Sequence, residues 1–310
     1  MTKPGAPMRR YPYVVLDVFT NQPMQGNQLA VFTQTRGLSD AEMQSLAKET
    51  NLSETTFIIQ RDPFVERERG MRVRIFTTTE ELPFAGHPTL GTAAYMQTLS
   101  SHPIARIELE LNVGKIPVTF EKREGEPPFG EMRQRDPEFG QIHDRAAVAL
   151  MAGLDPADIR DDVPIQTVST GMRFAIVPVK SLRAMRALAD NFSWQTAHAY
   201  LKTTDAKFAY FICTETDDAQ GNAPKANIHA RMFFYNGEDP ATGSAAGCAA
   251  GWLAKYKIAG NGQRVLIEQG VEMKRVSHMY VSADVDGDNI VNVRVAGQSV
   301  IVARGEFELP

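Results

Sequence analysis

Apolar residues recur with two different periods along the first half of the chain. From Tyr13 to Phe19 (YVVLDVF) an apolar, β-branched run has the length of a strand, and Thr55 to Ile59 (TTFII) makes a second. Alternation returns at Val73 and Ile75, set between Arg72, Arg74 and Phe76, and at Ile107, Leu109 and Leu111, set against Glu108 and Glu110. Both are the pattern of half-buried strands. Helical spacing replaces it after Ser39 and Glu42, a capping box ahead of Met43, Leu46 and Ala47, with an end expected near Asn51. A second helix, rich in Ala, Thr and Leu, is expected over 88–98, bordered by Gly86 and Pro88.

The second half repeats this. RIFTTTEELPFAGHPTLGTAAYM from Arg74 aligns without a gap on RMFFYNGEDPATGSAAGCAAGWL from Arg231, so that Arg74, Phe76, Glu81, Pro83, Gly86 and Ala93 fall on Arg231, Phe233, Glu238, Pro240, Gly243 and Ala250. Further on, Arg106, Leu109 and Glu110 fall on Arg264, Ile267 and Glu268. Two copies are too few for a solenoid, and two related α+β domains about a pseudo-twofold axis fit better. The stretch from Lys122 to Phe129 (KREGEPPF) combines charge, Gly and paired prolines and reads as the linker, with a surface hairpin as the other possibility. The expected division is a loose tail over 1–10, a first domain over 11–126 with the final strand 299–310 as a candidate addition, and a second domain over 127–298.

Composition narrows the function. A chain of 310 residues, 43% hydrophobic and 23% charged, can bury full cores, and no apolar run is long enough to cross a bilayer. Net charge is −4 with the basic residues dispersed, which argues against nucleic acid or anionic membranes and for a small-molecule partner. No apolar stretch follows the opening residues, so no secretory signal is expected, and the two isolated thiols, Cys213 and Cys248, suit a reducing compartment, the cytoplasm. His102, His143, His198, His229 and His278 show no metal spacing, and no Walker or dinucleotide fingerprint occurs, so no cofactor is expected.

In both copies a strand leads through Glu-x-Pro-x-x-Gly into a helix of small residues. The first N–H groups of such a helix lack intrahelical partners and carry the positive dipole end, and a glycine there lets an anion approach. Gly86 and Gly243 are therefore candidate holders of a carboxylate or developing enolate. His87 beside the first, and Asp239 and Ser244 beside the second, can donate, accept or orient a proton. Small residues from Ala245 to Gly251 place the second helix against closely approaching strands, and Cys248 reads as a small core residue. Glu54, between a helix and TTFII, suits an ordinary turn carboxylate as well as a functional one.

The motifs DVFTNQPMQGNQLAVF, NLSETTF, RIFTTTEELPFAGHPTLG, MRQRDPEFG, VSTG and EDPATGSAAG, in this order, resemble the PhzF (phenazine biosynthesis PhzF-like) family across nearly the whole chain. The resemblance implies a diaminopimelate epimerase-like fold, two α+β domains each with a curved sheet around a central helix, and an active site between them. It implies Glu54 as the residue that moves a proton between substrate carbons, with His87 and Asp239 as partners and Gly86, Gly243 and Ser244 as substrate-binding positions. The implied activity is cofactor-free isomerisation of trans-2,3-dihydro-3-hydroxyanthranilate by a homodimer. A related epimerase or racemase of another small acid, or a non-catalytic binding protein of the same fold, is the alternative. Two-thiol racemisation is not expected, because the epimerases' cysteines would fall at Gly86 and Gly243. Gln28, Thr78 and the FYNG loop before Glu238 depart from the family pattern and bear on substrate choice.

Overall fold

A computed structural model of the chain describes residues 8–100, 102, 104–217, 225–234 and 237–310. Among them are seven α-helices and mixed parallel and antiparallel ladders, an α+β fold. The chain divides into two compact units, one running up to Met132 and including Gly297–Pro310, the other Arg133–Ala296.

The first unit contains β1 (Arg9–Val18), β2 (Asn27–Phe32), α1 (Asp40–Thr50), β3 (Glu54–Ile59), α2 (Pro63–Arg69), β4 (Met71–Phe76), β5 (Glu81–Leu82), α3 (Gly86–Leu99), β6 (Arg106–Leu111), β7 (Gly114–Glu121) and β8 (Phe129–Arg133). The ladders run antiparallel for β1 with β2, parallel for β2 with β3, antiparallel for β3 with β4, parallel for β4 with β6, then antiparallel through β7 to β8. The parallel step from β4 to β6 needs a crossover, and α3 supplies it. Every residue of α3 from Gly86 to Tyr95 is buried, and the helix packs on β1, β2, β3 and β6. A helix apolar all round has no solvent face to offer and must be enclosed. α1 is shorter of contacts but sharply bounded: Ser39 and Glu42 form the expected capping box, and Asn51 ends it in the left-handed region at φ 53°.

The second unit contains β9 (Glu138–Ile142), α4 (Arg145–Ala152), β10 (Gln166–Ser169), β11 (Arg173–Pro178), α5 (Leu182–Asn191), α6 (Trp194–Leu201), β12 (Phe208–Cys213), β13 (Ile228–Phe234), β14 (Gly237–Glu238), α7 (Gly243–Lys255), β15 (Val265–Gln269), β16 (Ser277–Asp286) and the first part of β17 (Asn289–Leu309). Its ladders repeat the sequence of directions: β10 with β11 antiparallel, β11 with β12 parallel, β12 with β13 antiparallel, β13 with β15 parallel, then antiparallel through β16 to β17. α7 takes the place of α3, buried along its length and packed on β10, β11 and β16. Its glycines are needed for that approach. A Cβ on Gly247 would lie 1.9 Å from Gln134 Oε1, and one on Gly251 would lie 3.0 Å from Pro137.

Two sequence expectations change. The stretch read as a linker closes the β7–β8 hairpin, with Glu121 opposite Phe129, so the expected boundary at 126/127 falls inside a turn of the first unit. Gly and paired prolines mark turns and linkers alike, and here strand pairing on both sides decides. In the expected tail over 1–10, Arg9 and Arg10 already belong to β1, opposite Leu309 and Glu308 of β17, and Arg9 pairs with Glu42. Residues 1–7 lie outside the described residues, as do Tyr235 and Asn236 of the FYNG loop. No helix among the described residues is long and apolar enough to cross a membrane.

Candidate active site

The repeated motif has the same construction in both units. Arg74 Nε and Nη2 donate to Glu81 Oε1 and Oε2 at 2.8 and 2.5 Å, and Arg231 Nε and Nη2 donate to Glu238 Oε1 and Oε2 at 2.7 and 2.8 Å. Each guanidinium also lies over a ring two residues along, Phe76 at 5.1 Å and Phe233 at 4.9 Å. Fork-to-fork pairing of this kind fixes direction as well as distance. It closes the short hairpin, and the chain leaves it into the start of α3 or α7. Neither helix has a side-chain cap or an acidic residue in its first turn, so the dipole end is not neutralised from within.

In the first unit this start meets Glu54. The αL turn at Asn51 delivers Glu54 as the first residue of β3, beside Leu29 of β2, with its side chain 18% exposed. His87, in the first turn of α3, places Nε2 3.7 Å from Glu54 Oε2. That Nε2 is buried and has no hydrogen-bond partner among the described residues, so the ring nitrogen that donates to the Gln28 backbone carbonyl is Nδ1. Burial drives the imidazole pKa down to about 3, against the smaller opposing effect of the Gln28 bond. At neutral pH the ring is uncharged, with a lone pair on Nε2 facing the carboxyl group. The structure thus brings Glu54, Gly86 and His87 together.

In the second unit Asp239 lies three residues before Thr242, the N-cap of α7, and Gly243 and Ser244 open the helix. Asp239 is buried, and its Oδ2 accepts a 2.6 Å hydrogen bond from Thr242 Oγ1. Gln134 Nε2 donates to the Gly243 carbonyl at 3.0 Å, and Thr170 Oγ1 holds Gln134 Oε1 at 2.7 Å. Cys248 is fully buried and its thiol is pushed up to about 11 by burial, in keeping with a core residue. Thr242 and Gln134 lie within EDPATGSAAG and MRQRDPEFG, but neither has a spacing or repeat partner in the sequence that marks it as functional.

A family profile described as phenazine biosynthesis-like protein (PhzC–PhzF) matches residues 16–305. The chain belongs to this family. It is 34% identical over 302 residues to the trans-2,3-dihydro-3-hydroxyanthranilate isomerase of Pseudomonas aeruginosa, covering 96% of this chain and 99% of that one. A solved PhzF-family phenazine biosynthesis protein of Bacillus anthracis superposes with a TM-score of 0.80 at 27% identity, covering 98% of this chain and all of the other. A hydroxyproline epimerase of Agrobacterium vitis shares the fold at 10% identity, with a TM-score of 0.60 over 97% of this chain and 93% of that one. With curated relatives named as isomerases over almost its whole length, this PhzF-family protein is an enzyme of the isomerase class.

Proposed function

We propose that this PhzF-family enzyme isomerises a small carboxylic acid by moving a proton between two carbons, with Glu54 as the acid and base. The first candidate substrate is trans-2,3-dihydro-3-hydroxyanthranilate, named for the Pseudomonas aeruginosa relative. The observation that carries this reading is the Glu54–His87 pair: a carboxyl group 3.7 Å from a neutral imidazole nitrogen that has no hydrogen-bond partner among the described residues.

Glu54 as carboxylate removes the proton from a carbon activated by conjugation, and becomes a carboxylic acid. His87 Nε2 can then accept a hydrogen bond from it, which a protonated imidazole could not do, and this steadies the acid until the proton returns to a second carbon. The transfer is redox-neutral and requires no electron carrier. Negative charge gathers on the substrate meanwhile, and the uncapped start of α3 at Gly86 supplies N–H groups for it. Asp239 is assigned to the chemistry as a partner of Glu54 and His87, and Gly243 and Ser244 to binding the substrate's polar groups.

Proton NMR of the reaction in D₂O tests this. With trans-2,3-dihydro-3-hydroxyanthranilate the wild type is expected to place solvent deuterium at the accepting carbon, and Glu54→Gln to lose at least about 100-fold in rate, the lower range for a general acid–base group. Full activity in Glu54→Gln overturns the assignment. Exchange with inverted configuration at a single carbon shows an epimerase instead.

A further inference from the structure

The duplication supplies an internal control for deciding which polar groups a strand-to-helix turn needs and which serve something else. In the second unit the turn is filled by an amide. Gln269, the last residue of β15, is fully buried and uses both ends of its side chain: Nε2 donates to the Asp239 carbonyl at 2.7 Å and to Thr242 Oγ1 at 3.0 Å, while Oε1 accepts from Tyr210 Oη at 3.0 Å and from the Thr242 N–H at 3.3 Å. Thr242 stands at the N-cap of α7, where a threonine oxygen ordinarily accepts from the helix. Here it makes no such cap; it takes its hydrogen bond from Gln269 and gives its own proton to Asp239 Oδ2 at 2.6 Å. The chain therefore runs from Gln269, which also accepts from Tyr210, through Thr242 to Asp239 Oδ2.

The first unit builds the same turn without any of this. Strand register equates Gln269 with Leu111, because Met71 opposite Leu109 and Arg72 opposite Glu110 repeat as Ile228 opposite Ile267 and His229 opposite Glu268. The pairs Phe57–Arg74 and Phe211–Arg231 equate Tyr210 with Thr56. The ungapped repeat sets Asp239 on Leu82 and Thr242 on Ala85. The Arg–Glu fork, the short hairpin and the buried helix all form there with two leucines and an alanine in these places. A buried polar network that the fold does not require marks a site whose geometry matters.

We infer that Gln269 is a positioning residue for the isomerase reaction: through Thr242 it aims the Asp239 carboxylate. This rests on the assignment of Asp239 to the chemistry. Only an amide fits the position. A glutamate keeps the two accepting contacts but cannot donate to Thr242 or to the Asp239 carbonyl, and a leucine, as at position 111, makes none of the four.

The test is a double-mutant cycle in the full-length enzyme with trans-2,3-dihydro-3-hydroxyanthranilate, with melting temperatures measured alongside. Gln269→Leu and Gln269→Glu are each expected to lower kcat/KM about tenfold in the wild-type background and less than twofold in an Asp239→Asn background. A role confined to stability would lower both backgrounds alike, and that result overturns the inference. So does a kcat/KM within twofold of wild type for Gln269→Glu when Asp239→Asn is strongly impaired; the Asp239 assignment then stands alone. An Asp239→Asn enzyme as active as wild type removes that assignment and the inference with it. If Gln269→Leu fails to fold, Gln269→Glu, which preserves size and two contacts, carries the cycle.

Discussion

Arg231 and Glu238, seven residues apart, hold each other through two parallel hydrogen bonds with the guanidinium only 1% exposed. The arginine gives a further bond to the Met185 carbonyl at 2.6 Å. Its counterpart Arg74, paired with Glu81, is 17% exposed and also reaches the exposed Asp40. Removing Glu238 leaves the buried Arg231 to the longer contact with Glu272 at 3.7 Å, whereas at a wetter pair water takes over part of the lost role. Glu238→Gln is therefore expected to destabilise by about 3 kcal/mol and Glu81→Gln by about 1 kcal/mol, measured by urea unfolding. Equal losses would show that the two forks are equally buried in solution.

His87 should make the protein sensitive to acid. Its folded-state pKa is depressed to about 3 by burial, below the ordinary imidazole value of 6.5, so the unfolded chain binds a proton that the folded one refuses. Stability is then expected to fall as pH drops below 6.5 and to go on falling towards 3. Replacing His87 by Asn should flatten that part of a melting-temperature against pH curve, and an unchanged slope would place the acid sensitivity elsewhere.

His229 predicts the opposite limb. It is fully buried, and although burial alone lowers its pKa, hydrogen bonds to Glu268 at 2.8 Å and Glu272 at 3.1 Å raise it to about 9. Its contribution is complete below the unfolded value of 6.5 and is lost as pH rises through about 9. Wild type should lose melting temperature over that window. His229→Gln, already without the charge, should be less stable at pH 6 and show a smaller further loss at alkaline pH.

Gly247 couples packing to the second helix start. A methyl group there would displace the Gln134 amide, which is buried and tied to Thr170 and to the Gly243 carbonyl. Gly247→Ala is expected to cost about 1–3 kcal/mol by overpacking and to raise KM more than it lowers kcat. Steady-state kinetics beside a thermal melt separates the two effects.

The repeat was legible in sequence because its fork, hairpin and helix start need particular residues at fixed spacing, and Arg, Glu, Pro and Gly recur accordingly. Glu54 was not legible from the repeat. Strand register sets it where the second unit has Phe208, so the residue assigned to the chemistry is a departure from the duplication, and only the family resemblance selected it. Gln269 was hidden for a related reason, since a buried glutamine at a strand end has no periodic signature. It stands out only against Leu111. The strand over Arg9 and Arg10 was missed because its partner lies about 300 residues away, at Leu309 and Glu308, and leaves no local trace.

That distant pairing has a temporal consequence. β1 lies between β2 and the closing part of β17, so the unit that carries Glu54 and His87 draws one of its strands from residues that follow the whole second unit in the chain. The second unit up to Ala296 is synthesised before the first can be completed. Domains ordinarily fold in the order of their synthesis. In this chain the earlier-begun unit must wait for the later one, and the unit that holds Glu54 and His87 is completed only after the second has been made.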